Sequence, residues 1–196
     1  AGADRALDAA VDVLLAGGVI AAPTETVYGL MTLWDCAAGR DRIFRMKARP
    51  SDRRLQMLAG SLAVAQQAGL VADARLQRLA ACFWPGPLTV VCGALDGGTI
   101  GLRLPDHPFL TCLLARLPGA LAATSANRSG APAALTGWEA ISGLIEEPDV
   151  LVDGGSVGGD HGGMASTVLD LTGAEARVLR AGPISAVAIM AALGQE

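Results

Sequence analysis

Apolar side chains at 7, 10, 11, 14 and 15 form one stripe at helical spacing, which predicts a helix over residues 4–16 with Gly17 and Gly18 as its stop. The period then changes. "VIAAP" reads as a short buried strand. Residues 37–47 read as a helix with Ile43, Phe44 and Met46 partly inward, ending before Pro50 because the residue ahead of a proline disfavours helix. "LQMLA" predicts a second strand, and residues 61–69 and 73–83 predict two helices. "WPGPL" breaks the pattern; "LTVVCGAL" and "TIGLRLP" then read as two strands turning at "DGG". "HPFLTCLLARL" predicts a helix with proline near its start, and "ALAATSA" a buried strand ending in polar residues. "TGWEAISGLI" predicts a helix capped by Thr136, with Glu139 at capping-box spacing. "VLVDGG", "STVLDL" and "ARVLRAG" read as three more strands, "GGSVGGDHGG" as a loop and "SAVAIMAAL" as the closing helix.

Strands and helices mix without strict β-α-β alternation. The expected fold is α/β, one domain over 1–196 with a twisted mixed β-sheet flanked by helices. Hydrophobic residues make up 52% of the 196 and aromatics only 4%, so Ala and Val do much of the filling, as suits closely packed helices on a sheet. No apolar run reaches the ~18 residues that span a bilayer. The start, "AGADRALDAAVDVLL", lacks the basic n-region of a signal peptide, so a cytoplasmic protein is expected. Cys36, Cys82, Cys92 and Cys112 show no C-x-x-C spacing and no histidine at ligand spacing. They predict small apolar core residues rather than a zinc site, and no metal centre is expected in the protein itself.

The net charge of −4 is unevenly spread. The window Arg40–Arg54 holds seven cations against Asp41 and Asp52, so it carries +5 and the remainder −9. A concentrated field on an acidic chain points to a small anionic ligand more than to a long polyanion; the other reading is a solvated basic helix end. There is no G-x-x-x-x-G-K-[ST] phosphate loop, and the glycines of 154–163 do not form G-x-G-x-x-G. That segment reads as a mobile surface loop or as a lid over a ligand. Of the two histidines, His107 reads as a hydrogen bonder at the start of a helix, and His161 sits among glycines. No G-x-S-x-G elbow frames a serine nucleophile.

Four segments share one design, an apolar strand with ligand-capable residues at its end: "VIAAPTETVYGL", "GLRLPDH", "ALAATSANRSG" and "GMASTVLDL". Open α/β sheets bind ligands at strand ends. "TSANRSG" could hold a planar heterocycle or a phosphate, although Ser and Asn after a strand also make ordinary turns. The recurrence favours a site.

"PTETVYGL", "KARP", "FWPGPLT", "RLPDHP", "TSANRSGAP", "STVLDL" and "LRAG", in that order from about residue 5 to about 185, resemble the YrdC-like family of threonylcarbamoyl-AMP synthases. The resemblance implies a single α/β domain with a concave cationic cleft. It implies an enzyme, a nucleotidyltransferase that joins L-threonine, bicarbonate and ATP into threonylcarbamoyl-adenylate and pyrophosphate. The product would pass to a tRNA threonylcarbamoyl transferase acting on the adenosine beside the anticodon, with weak tRNA contact by this chain conceivable. The family's K-x-R and S-x-N elements fall on Lys47, Arg49, Ser125 and Asn127. The resemblance implies catalytic roles for Lys47 and Arg49, nucleotide binding by these four with Arg180, and threonine and bicarbonate binding by Thr24, Thr26, Arg103 and Ser166. Mg2+ would accompany ATP, bridging phosphates and keeping most of its waters, so few protein carboxylates would be needed.

The chemistry needs no protein nucleophile. A carbamate oxygen attacks the α-phosphate, and fixed cations neutralise charge as pyrophosphate leaves. Two departures stand out: Met31 follows "VYGL" where the family has Gly, and Arg54 replaces a proline after the K-x-R-P element. Two other functions remain open at this level: a carbamoyl-adenylate-forming domain that uses carbamoyl phosphate, and a non-catalytic RNA-binding module that uses the 40–54 patch.

Overall fold

The computed structural model describes residues 2–48, 54–157, 159 and 163–194. The first stripe is helix α1, Gly2–Leu15, which buries Ala10, Val11 and Leu14. Strand β1 (Ile20–Ala22) follows. The next strand, β2 (Gly29–Leu33), was not expected from the sequence. Gly29, Leu30, Met31 and Thr32 are all buried. A strand covered on both faces shows no polar alternation, and its lead-in "PTETVY" resembles a loop.

Helix α2 (Ala37–Met46) starts on Cys36, whose sulfur accepts a bond from the Gly39 N–H at 3.3 Å. Strand β3 (Gln56–Leu58) leads to α3 (Leu62–Gln67) and α4 (Ala74–Phe83), capped by the side chains of Ser61 and Asp73. Strands β4 (Leu88–Gly93) and β5 (Thr99–Arg103) form the expected antiparallel pair. Then come α5 (Pro108–Arg116), β6 (Leu121–Ser125) and α6 (Gly137–Ser142). The predicted capping box is present: Glu139 N–H donates to Thr136 Oγ1 at 3.2 Å, and Thr136 N–H to Glu139 Oε2 at 3.3 Å. Two-residue β7 (Val150–Leu151), β8 (Thr167–Asp170), β9 (Arg177–Arg180) and α7 (Ala186–Leu193) complete the set.

Among the described residues, nine strands join one mixed sheet in the order β7-β1-β2-β6-β3-β5-β4-β8-β9. Pairing register sorts its side chains into two faces. One face presents Ala21, Leu30, Ala122, Met57, Leu102, Val90 and Leu169. Helices cover it along its length: Ile43 and Met46 of α2 and Ala140 of α6 at the β1 side, then Ala65 of α3, Leu76 and Leu79 of α4, and Ile189 and Leu193 of α7. The opposite face is covered only at the β1–β2–β6 end. There α1 and α5 pack Leu14, Leu110, Leu113 and Leu114 on Ile20, Ala22, Met31, Leu58 and Ala123. Each fully buried aliphatic contributes roughly 1.5–3 kcal/mol. Beyond that end the same face carries Gln56, Thr89, Gly101 and Arg103, and it is hollow.

The cysteines depart from expectation. Cys92 is buried, but Cys82 and Cys112 are exposed and Cys36 is half-buried. On α4 the next inward position after Leu79 goes to Phe83, four residues on, and Cys82 turns outward. The basic window is not one surface either. Lys47 is buried, Arg42 pairs with Glu146 and Asp149, Arg40 lies over the Trp34 ring, and Arg54 turns towards the hollow. Arg49 and Arg53 lie outside the described residues. Among those described, no helix is long and apolar enough to cross a membrane.

Helix α2 ends at Lys47, and Ala48 beyond it has φ +48°. This is the left-handed position where helices usually place glycine, because a Cβ there is strained by about 1–2 kcal/mol. Ala48→Gly relieves that strain but returns about 0.5–1 kcal/mol of chain entropy to the unfolded state. The expected net gain is about 0.5–1 kcal/mol, read as a melting temperature about 2 °C higher by calorimetry; a lower value would mean Ala48 is unstrained.

Candidate functional site

Over the uncovered face lies a cleft of about 480 Å3, a ligand-sized volume. Its floor follows the strand alternation: Gly29 and Met31, Gln56 and Leu58, Thr89 and Val91, Thr99, Gly101 and Arg103, Ala123 and Ser125, and Val168. Thr24 and Thr26 form one lip; Ser166 and Arg180 form the other. The polar residues therefore meet less by ending strands than by sharing one face of the sheet. Among the described lining residues three are arginines, Arg54, Arg103 and Arg180, and none is acidic.

Thr24 and Thr26 lie in the tight connection from β1 to β2, and both are buried. Thr24 Oγ1 donates to Val27 O at 2.7 Å and accepts from the N–H of Thr26 and of Val27, each at 3.1 Å. Its hydrogen is thereby used. The two hydroxyls lie 2.8 Å apart. Arg103 Nη1 donates to Thr26 Oγ1 at 3.0 Å. Thr24 holds the loop; Thr26 keeps one lone pair for a ligand.

The far lip repeats the scheme. Arg180 donates to Ser166 O from Nε at 3.1 Å and Nη2 at 2.8 Å, and from Nη2 to Ser166 Oγ at 3.2 Å. Ser166 Oγ lies 2.8 Å from Thr89 Oγ1, which donates to Gln56 Oε1 at 3.1 Å. Gln56 and Thr89 were missed by sequence reasoning, although Thr89 breaks the apolar run "PLTVVCG" at a position two before Val91. Burial pushes the guanidinium pKa of Arg180 down. It does the same to Arg103, where the Glu25 carboxylate works the other way and Arg180 adds to the lowering.

Lys47 is placed differently from Ser125 and Asn127. It stands 1% exposed behind the strand–loop junction and does not line the cleft. Its ammonium donates to Ser125 O and Asn127 O, and more weakly to Asn127 Oδ1 at 3.4 Å. The Lys47 carbonyl accepts from Ser129 N–H at 3.0 Å. The K-x-R and S-x-N elements thus touch through Lys47, while Arg49 lies outside the described residues. Asn127 turns its amide NH2 into its own loop, to Ala131 O at 2.7 Å and Arg128 O at 2.9 Å.

Tyr28 adds a strut that sequence reasoning overlooked. Its hydroxyl donates to Gly155 O at 2.7 Å and accepts from Gly154 N–H at 3.0 Å, tying the start of the Gly-rich segment to the cleft wall. Burial raises its pKa. Residues 158 and 160–162 of that segment, His161 included, lie outside those described. Of the two departures, Met31 is fully buried in the floor, and Arg54 stands where the cleft adjoins a second hollow beneath Trp34 and Phe44, its Nη1 donating to Thr99 O at 2.6 Å. Cys92 is no nucleophile, since burial pushes its thiol up to about 12. His107 occupies the N-cap of α5 but makes no side-chain cap bond there, and its buried Nδ1 has no partner, contrary to expectation.

The Sua5/YciO/YrdC family model, described as "Telomere recombination", matches residues 12–182. The chain is 32% identical over 191 residues to the Homo sapiens protein named threonylcarbamoyl-AMP synthase, covering 88% of this chain and 65% of that one. Its fold superposes with a TM-score of 0.86 and 31% identity on P. abyssi Sua5 complexed with L-threonine, over 96% of this chain and 57% of that one. E. coli YciO matches with a TM-score of 0.80 and 25% identity, over 92% of this chain and 91% of YciO. The chain thus spans about two thirds or less of the human and archaeal proteins and nearly all of YciO.

Two outcomes follow from the site's own bonds. Lys47→Met keeps the side-chain length but leaves two carbonyls unpaired, so unfolding in urea should show a loss of about 3 kcal/mol; an unchanged midpoint would mean the ammonium bonds are inert. Burial holds the His107 pKa below its ordinary value, against the pull of Glu25 and Asp106. The unfolded chain therefore takes the proton first, and stability present above pH ~6.5 declines as acid is added through that value. His107→Gln should flatten that part of a pH–stability curve.

Proposed function

We propose that this chain, which belongs to the Sua5/YciO/YrdC family, is a threonylcarbamoyl-AMP synthase that joins L-threonine, bicarbonate and ATP and releases pyrophosphate. The observation that carries this is convergence. Thr24, Thr26, Arg103, Ser125, Asn127, Ser166 and Arg180, from five separate stretches of chain, line one cleft. A relative of the same fold over 96% of this chain was crystallised with L-threonine.

Within the reading, threonine lies against the Thr26–Arg103 lip. Its ammonium donates to the remaining lone pair of Thr26 Oγ1, and its carboxylate meets the Arg103 guanidinium. Once deprotonated, the amine and bicarbonate give a carbamate with loss of water. A carbamate oxygen then attacks the α-phosphate and pyrophosphate departs. Arg54 and Arg180 both line the cleft and offset the charge that builds on the phosphates. Lys47 acts by holding Ser125 and Asn127, so its role is to shape the nucleotide loop; Arg49 keeps the phosphate role that its motif suggests. The described lining offers hydroxyls, amides and guanidiniums but no carboxylate. A divalent ion, Mg2+, would be held by the phosphates and its own waters, and would supply charge neutralisation there. The adenylate would then pass to a tRNA threonylcarbamoyl transferase.

Incubation with ATP and bicarbonate should release pyrophosphate only when threonine is added, with carbamoyl phosphate failing to substitute. Thr26→Val should raise the KM for threonine about tenfold, the equivalent of one lost hydrogen bond to a charged group, with the KM for ATP little changed. Pyrophosphate release driven by carbamoyl phosphate instead would point to the carbamoyl-adenylate chemistry. Steeply salt-dependent tRNA binding without turnover would point to the RNA-binding alternative.

A further inference from the structure

Among the described residues, four buried side-chain polar atoms have no hydrogen-bond partner: Oε1 and Oε2 of Glu25, Nε of Arg103 and Nδ1 of His107. Folded proteins leave few such atoms, and each calls for a cause. Three of these four belong to one pair. Glu25 Oε2 lies 3.7 Å from Arg103 Nη2, with the two side chains 10% and 3% exposed. That is beyond the ~2.7–3.2 Å of an N–H···O bond but well within reach of the charges.

The two groups complement one another. Nε and Nη2 are one edge of the guanidinium, and Oε1 and Oε2 are the two acceptors of a carboxylate. Together they are the donors and acceptors of a two-bond pair, whose Nη2–Oε2 arm stands roughly half an ångström beyond bonding distance. Arg103 also has a firm anchor, the single bond from Nη1 to Thr26. One bond fixes a point but leaves the plane of the group free to turn. Glu25 supplies the second point. It does so from behind, since it lines the small hollow beside Trp84 and Asp106 rather than the cleft. It also opposes the desolvation that weakens the charge of Arg103.

A guanidinium has five N–H donors. Two directed at Glu25 and one at Thr26 leave two, on the Nη1–Nη2 end. We infer that Glu25 is the positioning residue of Arg103: it turns the guanidinium so that this end faces a planar oxyanion in the cleft, and the pair closes to two bonds when that oxyanion is bound. The oxyanion is the carboxylate of the amino-acid substrate, which rests on the function proposed above. Glu25 touches no substrate and acts only through Arg103.

Glu25→Gln keeps the shape and removes the charge; Glu25→Asp keeps the charge and draws it back. With Glu25→Gln the KM for threonine should rise about tenfold while that for ATP stays within about twofold, and Glu25→Asp should recover part of the loss. Added to Arg103→Lys, Glu25→Gln should cost little more, because the two act as one unit. A native threonine KM in Glu25→Gln, an equal rise in both KM values, or full additivity with Arg103→Lys would each overturn the inference. If Glu25→Gln does not fold, the native protein still decides. The NMR signal of the Arg103 Nε–H should move downfield when threonine or acetate is added, as its bond to Glu25 forms, and an unmoved signal with ligand bound would overturn the closure. A native protein whose Nε–H responds to acetate but which releases no pyrophosphate with threonine would sink the proposed substrate and leave the Glu25–Arg103 pairing standing.

Discussion

The register of β6 governs the cleft. Ser125 stands opposite Gly29 on one neighbour, and Ala123 opposite Gln56 on the other. From there the parity passes outward, Leu58 to Arg103, Gly101 to Val91 and Thr89 to Val168. A slip of one residue anywhere along this line would turn the hydroxyls and Arg103 into the helix-covered core and bring Leu102 and Val90 to the surface. The apolar face forbids that. Met57, Leu102, Val90 and Leu169 are each 0% exposed beneath α3, α4 and α7, so the hydrophobic side of the sheet enforces the placement of its polar side. The hollow exists because α1 and α5 cover this face only as far as Leu58 and Ala123, and because small residues, Gly29, Gly101 and Ala123, stand where larger ones would fill the gap.

Within that frame Thr24, Arg180 and Lys47 are each held by several bonds within the protein. Thr24 answers three neighbouring groups of its own loop, Arg180 makes three bonds to Ser166, and the Lys47 ammonium reaches three oxygens of the Ser125–Asn127 turn. Such fixed donors need little reorganisation when charge develops in the cleft, which is where an electrostatic catalyst gains most. Lys47 stands buried behind the cleft rather than in its lining. A buried ammonium with three oxygen partners shapes a backbone turn; moving it to a phosphate would require breaking those bonds first.

Much of the fold was legible because most elements carry their own punctuation: Gly17 ends α1, Thr136 and Glu139 box the start of α6, and proline opens α5. β2 escaped because four of its five residues are buried on a doubly covered strand, so no alternation marks it. The site was legible as a set of motifs but not as a surface. Quoted one by one, "TSAN", "RLP" and "STV" look like strand ends; only pairing register reveals that Ser125, Arg103 and Val168 share a face. Gln56 and Thr89 were missed for the same reason, since a single polar side chain in an apolar run carries no sign of which neighbour it meets. The basic window misled in the opposite sense. Its cations are adjacent in sequence, yet α2 sends Arg42 to Glu146 and Asp149 and Lys47 lies inward, while Arg54 stands at the cleft.

The two departures from the family pattern fall in different physical settings. Met31 sits in the floor with its Cε where a side chain at position 29 would need to be: a Cβ built on Gly29 would lie 2.9 Å from it. A larger residue at 31 is thus accommodated because 29 has none, and the cost falls on the free volume of the floor rather than on the polar lips. Arg54 instead adds a cation at the edge, its guanidinium braced on the Thr99 carbonyl between the cleft and the hollow under Trp34. A proline could offer neither the charge nor the bond. The lip built by Thr24 and Thr26 with Arg103 involves neither residue in its hydrogen bonds. Any change in ligand handling caused by these departures therefore acts on the depth and the Arg54 edge of the cleft before it acts on that lip.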